Sequence, residues 1–173
     1  MTDAFTQSPK ELEQFLKFIE EDLENVRRVI NFCREKDLDN EFMVHAKSET
    51  VEESAENVGI EEEKIVKTLI FKAGEEFVAV LCPGDKRVSE QKLEEITGEN
   101  VRMANPDEVK ENTGYIIGGV SPFDLDISTF MERSILEHEE VKPAAGSRVV
   151  GVTVDPEELK HALSADVAEL SSP

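Results

Sequence analysis

Two glycine-containing segments and one lysine carry the residue types that could do chemistry in this sequence. The first segment, residues 113–123, contains Gly118 and Gly119, followed by Pro122, among apolar side chains. Glycine adopts backbone conformations that a β-carbon forbids, and the amides of an ordered loop can approach a carbonyl or a phosphate closely. The segment could be a cradle for such a group or a tight connection between two elements, and composition alone leaves both open.

Lys67 is the second candidate, because it lies within an apolar, β-branched run at residues 65–72. Strand alternation puts it on the same face as Leu69 and Phe71. A lysine on an apolar face is costly unless its ammonium reaches water or an anion. It therefore either extends to solvent at the sheet margin or points a cation into a pocket.

The second glycine segment, residues 144–148, precedes a predicted strand. Gly146, Ser147 and Arg148 could offer backbone amides, a hydroxyl and a guanidinium to a phosphate. Taken alone, this pattern is more typical of an ordinary turn.

Other kinds of site are poorly supported. Ser121 follows Gly119 but lacks the second glycine of a G-x-S-x-G nucleophile elbow. The three histidines (His45, His138, His161) show no metal-ligand spacing, and there is no C-x-x-C, P-loop or G-x-G-x-x-G motif. We therefore expect no metal and no cofactor, and a lone histidine such as His45 is most often a partly buried, satisfied residue.

The elements that must position these residues follow from hydrophobic periodicity and turn signals. An apolar stripe over residues 9–36 predicts a helix, with Ser8, Pro9 and Glu11 forming a capped N-terminus. Whether it is one helix or two that break at residues 20–22 is open. Further helices are predicted at 50–59, 89–97, 105–113 and 155–163, a helical turn at 133–137, and strands at 42–45, 65–72, 77–82, 101–104, 127–131, 140–142 and 149–154.

This order of hairpins, single strands and short helices favours an α+β fold over a doubly wound parallel sheet. We predict a single compact domain with a curved, mixed sheet flanked by short helices, plus an N-terminal helical extension. The predicted division is an extension at residues 1–38, the domain at 39–164 and a flexible tail at 165–173.

Composition restricts the class of protein. The sequence is 39% hydrophobic and 34% charged, with a formal net charge of −20. Its apolar runs are too short to span a membrane and its start lacks a secretory signal, so we expect a cytoplasmic protein with two reduced cysteines. The acidic charge argues against DNA and against broad nucleic-acid binding, because phosphate backbones attract basic surfaces.

Six short motifs follow one another along the chain: Ile65-Val66-Lys67-Thr68-Leu69, Pro83-Gly84-Asp85-Lys86-Arg87-Val88, Met103-Ala104, Thr113-Gly114-Tyr115, Gly118-Gly119-Val120-Ser121-Pro122-Phe123 and Ala145-Gly146-Ser147-Arg148. This ordered set resembles the YbaK/ProX family of aminoacyl-tRNA deacylases. The editing insertion domain of bacterial prolyl-tRNA synthetases is similar to this family. The resemblance covers about residues 40 to 164.

The resemblance implies a compact mixed α/β fold and hydrolysis of the ester between a wrong amino acid and tRNA. The expected substrate is Cys, Ala or Ser on tRNA-Pro, held by its 3′ end, and a prolyl-tRNA synthetase is a possible partner. The implied catalytic residues are Lys67, Gly118, Gly119 and Ser121. The implied substrate-binding residues are His45, Thr68, Pro122, Phe123, Gly146, Ser147 and Arg148.

The chain departs from the family pattern at three places. Asp124 stands where members commonly carry glycine, Ala144 stands where many carry Asn or Ser, and the N-terminal helical stretch is longer than a minimal member needs.

An aminoacyl ester is already activated, so its hydrolysis needs positioning and oxyanion stabilisation more than a strong nucleophile. Two other functions stay open: a non-catalytic module that binds an aminoacyl end or a synthetase, and a hydrolase of a free small ester. The apolar stripe formed by Leu12, Phe15, Leu16 and Ile19 could serve docking in the first of these.

Overall fold

The computed structural model describes residues 8–44 and 61–172. His45 and the predicted helix at residues 50–59 lie outside the described residues. The helices are α1 (Pro9–Glu35), α2 (Glu90–Thr97), α3 (Pro106–Thr113) and α4 (Pro156–Leu163), with 3-10 turns at Glu62–Lys64 and Arg133–Glu137. The strands are β1 (Asn40–Val44), β2 (Ile65–Ala73), β3 (Glu76–Pro83), β4 (Arg87–Val88), β5 (Val101–Met103), β6 (Ser128–Glu132), β7 (Lys142–Ser147), β8 (Val150–Val154), β9 (Asp166–Ala168) and β10 (Ser171–Ser172).

Helix α1 is one continuous helix that begins as its sequence predicts. The Ser8 hydroxyl accepts from the Glu11 amide, and the Glu11 carboxylate accepts from the Ser8 amide, which completes the capping box. The second half of the helix contributes to the core, where Val29 and Cys33 are buried. In the first half, Leu12 and Leu16 are about half exposed, at 47% and 49%.

One mixed sheet organises the described residues. Its strand order is β1-β8-β7-β2-β3-β6-β9, and β5 pairs with the end of β2. The β2–β3 hairpin is antiparallel, as predicted, whereas β2–β7, β3–β6 and β6–β9 are parallel. This combination confirms the predicted α+β class with a mixed sheet and an N-terminal helix.

The central hairpin separates two layers of core. Val66 and Leu81 point to a cluster that contains Tyr115, Phe123 and residues of α1 and α4. The opposite face, which includes Phe71 and Val80, packs on Leu93 of α2 and on Leu170. Strand β3 is buried from Val78 to Pro83, as its continuous apolar sequence predicts.

The prediction of a frayed tail after Ser164 is wrong. Residues beyond it form β9, which pairs with β6, and β10, which pairs with β4. Leu170 is fully buried, its carbonyl accepts from the Ser89 amide at 2.7 Å, and its amide donates to the Glu132 carboxylate at 3.3 Å. Strands β9 and β10 are too short and polar to give a periodic hydrophobic signal in the sequence. They are held by pairing with strands that are distant in the chain and by the burial of Leu170.

The second glycine segment, predicted as a loop, is instead the end of strand β7. Residues 144–147 belong to β7, and the register between β7 and β8 shifts between Ala144 and Ser147. Gly146, with φ +90°, allows this irregularity within the strand. Glycine and serine in this segment therefore mark a strand irregularity followed by a turn.

Candidate functional site

The first glycine loop begins where α3 ends and is packed against the core. Gly114 ends the helix with φ +79°, and the Gly119 amide donates to the Ile116 carbonyl at 2.9 Å to form a turn. Further along, the Tyr115 hydroxyl donates to the Phe123 carbonyl at 2.7 Å. The loop is thus folded on itself, with a buried tyrosine across its base.

The two glycine segments meet each other. A β-carbon at Gly118, whose φ is +98°, would lie 2.4 Å from Arg148 Nε. A β-carbon at Gly119 would lie 3.0 Å from the Cα and amide nitrogen of Ser147. Arg148 in turn donates to the Ile117 carbonyl at 3.1 Å. The absence of side chains at the two glycines therefore allows the loop to lie directly against the end of β7.

Helix α1 holds both segments from the other side. The Asn25 side-chain amide donates to the Gly114 carbonyl at 3.2 Å, and the Ser147 hydroxyl contacts the Asp22 carboxylate at 2.8 Å. A β-carbon at Gly146 would lie 2.9 Å from the Asn25 carbonyl. The helix that the sequence predicts as an extension is therefore part of the frame around the loops.

Arg28 of α1 was not identified from the sequence. Its guanidinium donates to the carbonyls of Thr113 and Asp124 and to the Asp124 carboxylate, and it lies 4.3 Å from the centre of the Tyr115 ring. Burial raises the pKa of Tyr115 to about 12, with the Arg28 charge acting in the opposite direction. In the sequence, a charged residue on a helix looks like part of a solvent-exposed face. No local pattern therefore indicates that Arg28 holds the glycine loop.

Lys67 and Thr68 point to opposite faces of β2. Lys67 is half-buried, and its ammonium donates to the Lys86 carbonyl in the turn after β3. Thr68 shares the opposite face with Val66, which belongs to the core cluster against which Val120 of the glycine loop packs. Within residues 8–44 and 61–172, its buried hydroxyl has no hydrogen-bond partner.

The pairing of β2 with β7 ends beside Lys67. Strands β2 and β7 pair only at Ile65–Lys142 and Val66–Pro143, so they separate at Lys67. The glycine loop lies against the end of β7, beyond this separation. Lys67 is therefore the first residue of β2 beyond its pairing with β7, and the loop contact lies at the far end of β7.

The remaining predicted site residues differ in accessibility. Ser121 and Phe123 are fully buried, and the Phe123 ring packs on Phe32 with a centroid distance of 5.8 Å. Pro122 is buried as well. Their side chains are therefore packed in the core under the loop. These three residues could contact a substrate only through their backbone atoms. His45 lies outside the described residues.

Groups that would supply a different chemistry are not assembled in the described part of the chain. There, no cluster of three His, Cys, Asp or Glu side chains could hold a metal ion. Burial raises the pKa values of Cys33 and Cys82 to about 11, which keeps both thiols protonated near neutral pH. No helix among these residues is long and apolar enough to cross a membrane.

Comparison with known families and structures gives a consistent result. The family model described as the aminoacyl-tRNA editing domain matches residues 45–162. A solved structure of hypothetical protein APE2540 superposes with a TM-score of 0.78 at 34% identity, covering 84% of this chain and 99% of that chain. A structure described as "a putative trans-editing enzyme for prolyl tRNA synthetase" gives the same TM-score at 30% identity, covering 86% of this chain and 98% of the other.

Similar sequences occur both as separate proteins and inside a synthetase. The uncharacterized protein YwhH of Bacillus subtilis (strain 168) is 36% identical over 117 residues, which are 66% of this chain and 74% of that protein. The proline–tRNA ligase of Maridesulfovibrio salexigens is 42% identical over 91 residues, which are 52% of this chain. Those residues span only 15% of the ligase, so the similarity concerns one portion of that enzyme.

Proposed function

The chain belongs to the aminoacyl-tRNA editing domain family, and on that premise we propose that it hydrolyses the ester of a mischarged aminoacyl-tRNA. The observation that carries the proposal is the contact of Gly118 and Gly119 with residues 146–148 at the end of β7, the strand whose pairing with β2 ends beside Lys67. We assign the loop amides, Arg148 and Lys67 to one substrate-binding region, which the Lys67 side chain would reach from the point where the β2–β7 pairing ends. It suits an activated ester, which needs orientation and charge stabilisation more than a nucleophilic side chain.

We assign the substrate to tRNA-Pro carrying a small amino acid such as Cys, Ala or Ser. The similarity to part of a proline–tRNA ligase supports this choice, as does the structural similarity to the protein described as a trans-editing enzyme. A pocket of limited size would exclude larger side chains, at about 1–3 kcal/mol per methylene. Association with a prolyl-tRNA synthetase belongs to the same proposal.

In the proposed mechanism the glycine loop binds the ester carbonyl. The amide of Gly119 already donates to Ile116, so Gly119 contributes shape by letting the loop lie against β7. We assign polarisation of the carbonyl to the other amides of residues 118–121. A ribose hydroxyl of the substrate would orient the attacking water, and a cysteinyl substrate could use its own thiol.

We assign Lys67 as the cation that binds a phosphate at the aminoacylated 3′ end of the tRNA. Its ammonium bonds to a neutral carbonyl, that of Lys86, and a phosphate would be a stronger, charge-assisted acceptor. Arg148, at the second glycine segment, would contact the terminal nucleotides. A contact limited to the 3′ end agrees with a net charge of −20, because the tRNA body need not approach the acidic surface closely.

The test is deacylation of tRNA-Pro charged separately with Cys, Ala and Ser. We expect the wild type to release at least one of these amino acids and Lys67→Ala to reduce turnover by about 100-fold or more, the loss typical of removing a charge-stabilising group. Lys72→Ala is the matched control, since it removes a lysine from the same strand. Thermal unfolding establishes that both variants are folded. Unchanged turnover in Lys67→Ala would refute the role of this lysine.

A non-catalytic docking module is the second candidate, and one observation favours it. Leu12, Leu16 and Leu23 of α1 are about half exposed, at 47%, 49% and 56%. Such a stripe is typical of a surface that meets another protein. Binding of the charged tRNA without loss of any ester in the same assay would favour this function, whereas turnover of a free aminoacyl ester without tRNA would indicate a small-ester hydrolase.

A further inference from the structure

Arg28 joins the two ends of the glycine loop. Its Nη1 atom donates to the Thr113 carbonyl at 2.6 Å, where the loop leaves α3. Its Nη2 atom donates to the Asp124 carbonyl, just after Phe123, and its Nε atom bonds to the Asp124 carboxylate at 2.8 Å. One side chain from α1 therefore closes the segment between residues 113 and 124.

The geometry uses properties that only arginine has. The guanidinium is planar and carries five donors in a fixed fork, so it can bond to two separate carbonyls and a carboxylate at once. Its Cζ atom lies 4.3 Å from the centre of the Tyr115 ring, while the Tyr115 hydroxyl donates to the Phe123 carbonyl. Two side chains thus hold the ends of the loop: Arg28 from helix α1 and Tyr115 from the loop itself.

The backbone at Asp124 has a less common conformation. Its φ of +58° lies in the left-handed region, which few non-glycine residues adopt and which Asp tolerates better than most. Arg28 bonds to both the main chain and the side chain of this residue. Arg28 therefore stabilises the conformation in which the loop turns back toward the core.

We propose that Arg28 is a positioning residue for the glycine loop. It acts through the loop and does not contact the substrate, and the proposal rests on the proposed function of that loop. Because α1 precedes the residues that match the family model, the inference assigns part of the site to a helix outside the matched region. A loop that is held less firmly should bind substrate equally well and react more slowly, since misplacement by about 1 Å can cost 100-fold in rate.

The experiment compares the wild type with Arg28→Gln, Arg28→Lys and the control Arg27→Gln. Arg27 is the exposed neighbour of Arg28 on α1, so the control removes the same charge from the same helix. Hydrogen exchange of peptides covering residues 114–124 measures the loop directly. Tyrosine fluorescence and near-ultraviolet circular dichroism give a second measurement, because Tyr115 is the sole tyrosine and the chain has no tryptophan.

In Arg28→Gln we expect the loop amides to exchange at least about tenfold faster, with exchange in β3 unchanged and an altered tyrosine signal. Arg28→Lys keeps the positive charge but loses the forked guanidinium donors, so the loop amides of this variant should also exchange faster. The kcat of deacylation should fall about 10- to 100-fold with KM unchanged. Arg27→Gln should match the wild type in every measurement.

Two outcomes would overturn the inference. One is loop exchange in both Arg28 variants equal to that of the wild type, and the other is faster exchange spread evenly over the whole sheet, which would indicate a general loss of stability. If the wild type cleaves none of the tested substrates, the proposed function fails, while loop exchange still decides the role of Arg28.

Discussion

Replacement of Gly146 by alanine tests the contact between helix α1 and the end of β7. Gly146 has φ +90°, and a β-carbon there would lie 2.9 Å from both the carbonyl carbon and the oxygen of Asn25. Both obstructing atoms belong to helix backbone, so no side-chain rotation can relieve the overlap. The helix must move away from the strand, or the strand irregularity must be lost.

The cost of this substitution has two parts. An alanine at positive φ costs about 1–2 kcal/mol. Forcing an additional carbon into a packed contact costs about 1–3 kcal/mol more. Gly98→Ala measures the cost of positive φ alone, because Gly98 has φ +72° and a β-carbon there would meet nothing within 4 Å. Gly74→Ala is a second control, since the three atoms nearest to its β-carbon all belong to the exposed side chain of Glu99, which can rotate.

The assay is thermal unfolding followed by circular dichroism, together with deacylation kinetics. For a chain of this size, about 1 kcal/mol shifts Tm by about 2–4 °C. We therefore expect Gly146→Ala to lower Tm by about 2–12 °C more than Gly98→Ala, with Gly74→Ala close to Gly98→Ala. Equal losses in Gly146→Ala and Gly98→Ala would refute the close approach of α1 and β7.

Two further predictions concern α3 and the C-terminal strands. Bonds from Arg102 and from the Asn105 amide lower the pKa of Glu108 to about 2, so its contribution to stability should be complete above pH ~4.5 and lost as the pH falls toward 2. Urea unfolding of Glu108→Gln and wild type across this range should therefore converge at low pH, and a gap that persists would contradict the assignment. Leu170→Ala should cost about 2–5 kcal/mol in unfolding free energy because Leu170 is fully buried against Leu93 and its neighbours. A frayed tail would give less than about 0.5 kcal/mol.

Elements defined by local patterns were predicted well from the sequence. The capped start of α1, the β2–β3 hairpin and the buried strand β3 follow from residues close together in the chain, so periodicity and turn signals suffice. The packing of the glycine loop against the core also follows from local sequence, because apolar residues surround its glycines. Tyr115 and Phe123 are indeed fully buried.

Features that depend on distant contacts were not predictable in this way. Asp22, Asn25 and Arg28 hold the glycine segments, yet in sequence they look like the solvated side of a helix. Strands β9 and β10 are too short and polar to produce a period, and only their partners stabilise them. Strand alternation puts Lys67 and Thr68 on opposite faces of β2, but it could not indicate that the Lys67 ammonium donates to the Lys86 carbonyl in a distant turn.

The strand order has a consequence for how the chain folds. Strand β1 at residues 40–44 pairs with β8 at residues 150–154, and β9 closes the other edge. Such pairings join distant parts of the chain, so their loop-closure entropy must be overcome before they become favourable, which slows folding. The β2–β3 and β7–β8 hairpins can form early, because their strands are neighbours in sequence. The glycine segments need α1, residues 113–124 and β7 together, so we expect this region to assemble last and to open first on partial unfolding.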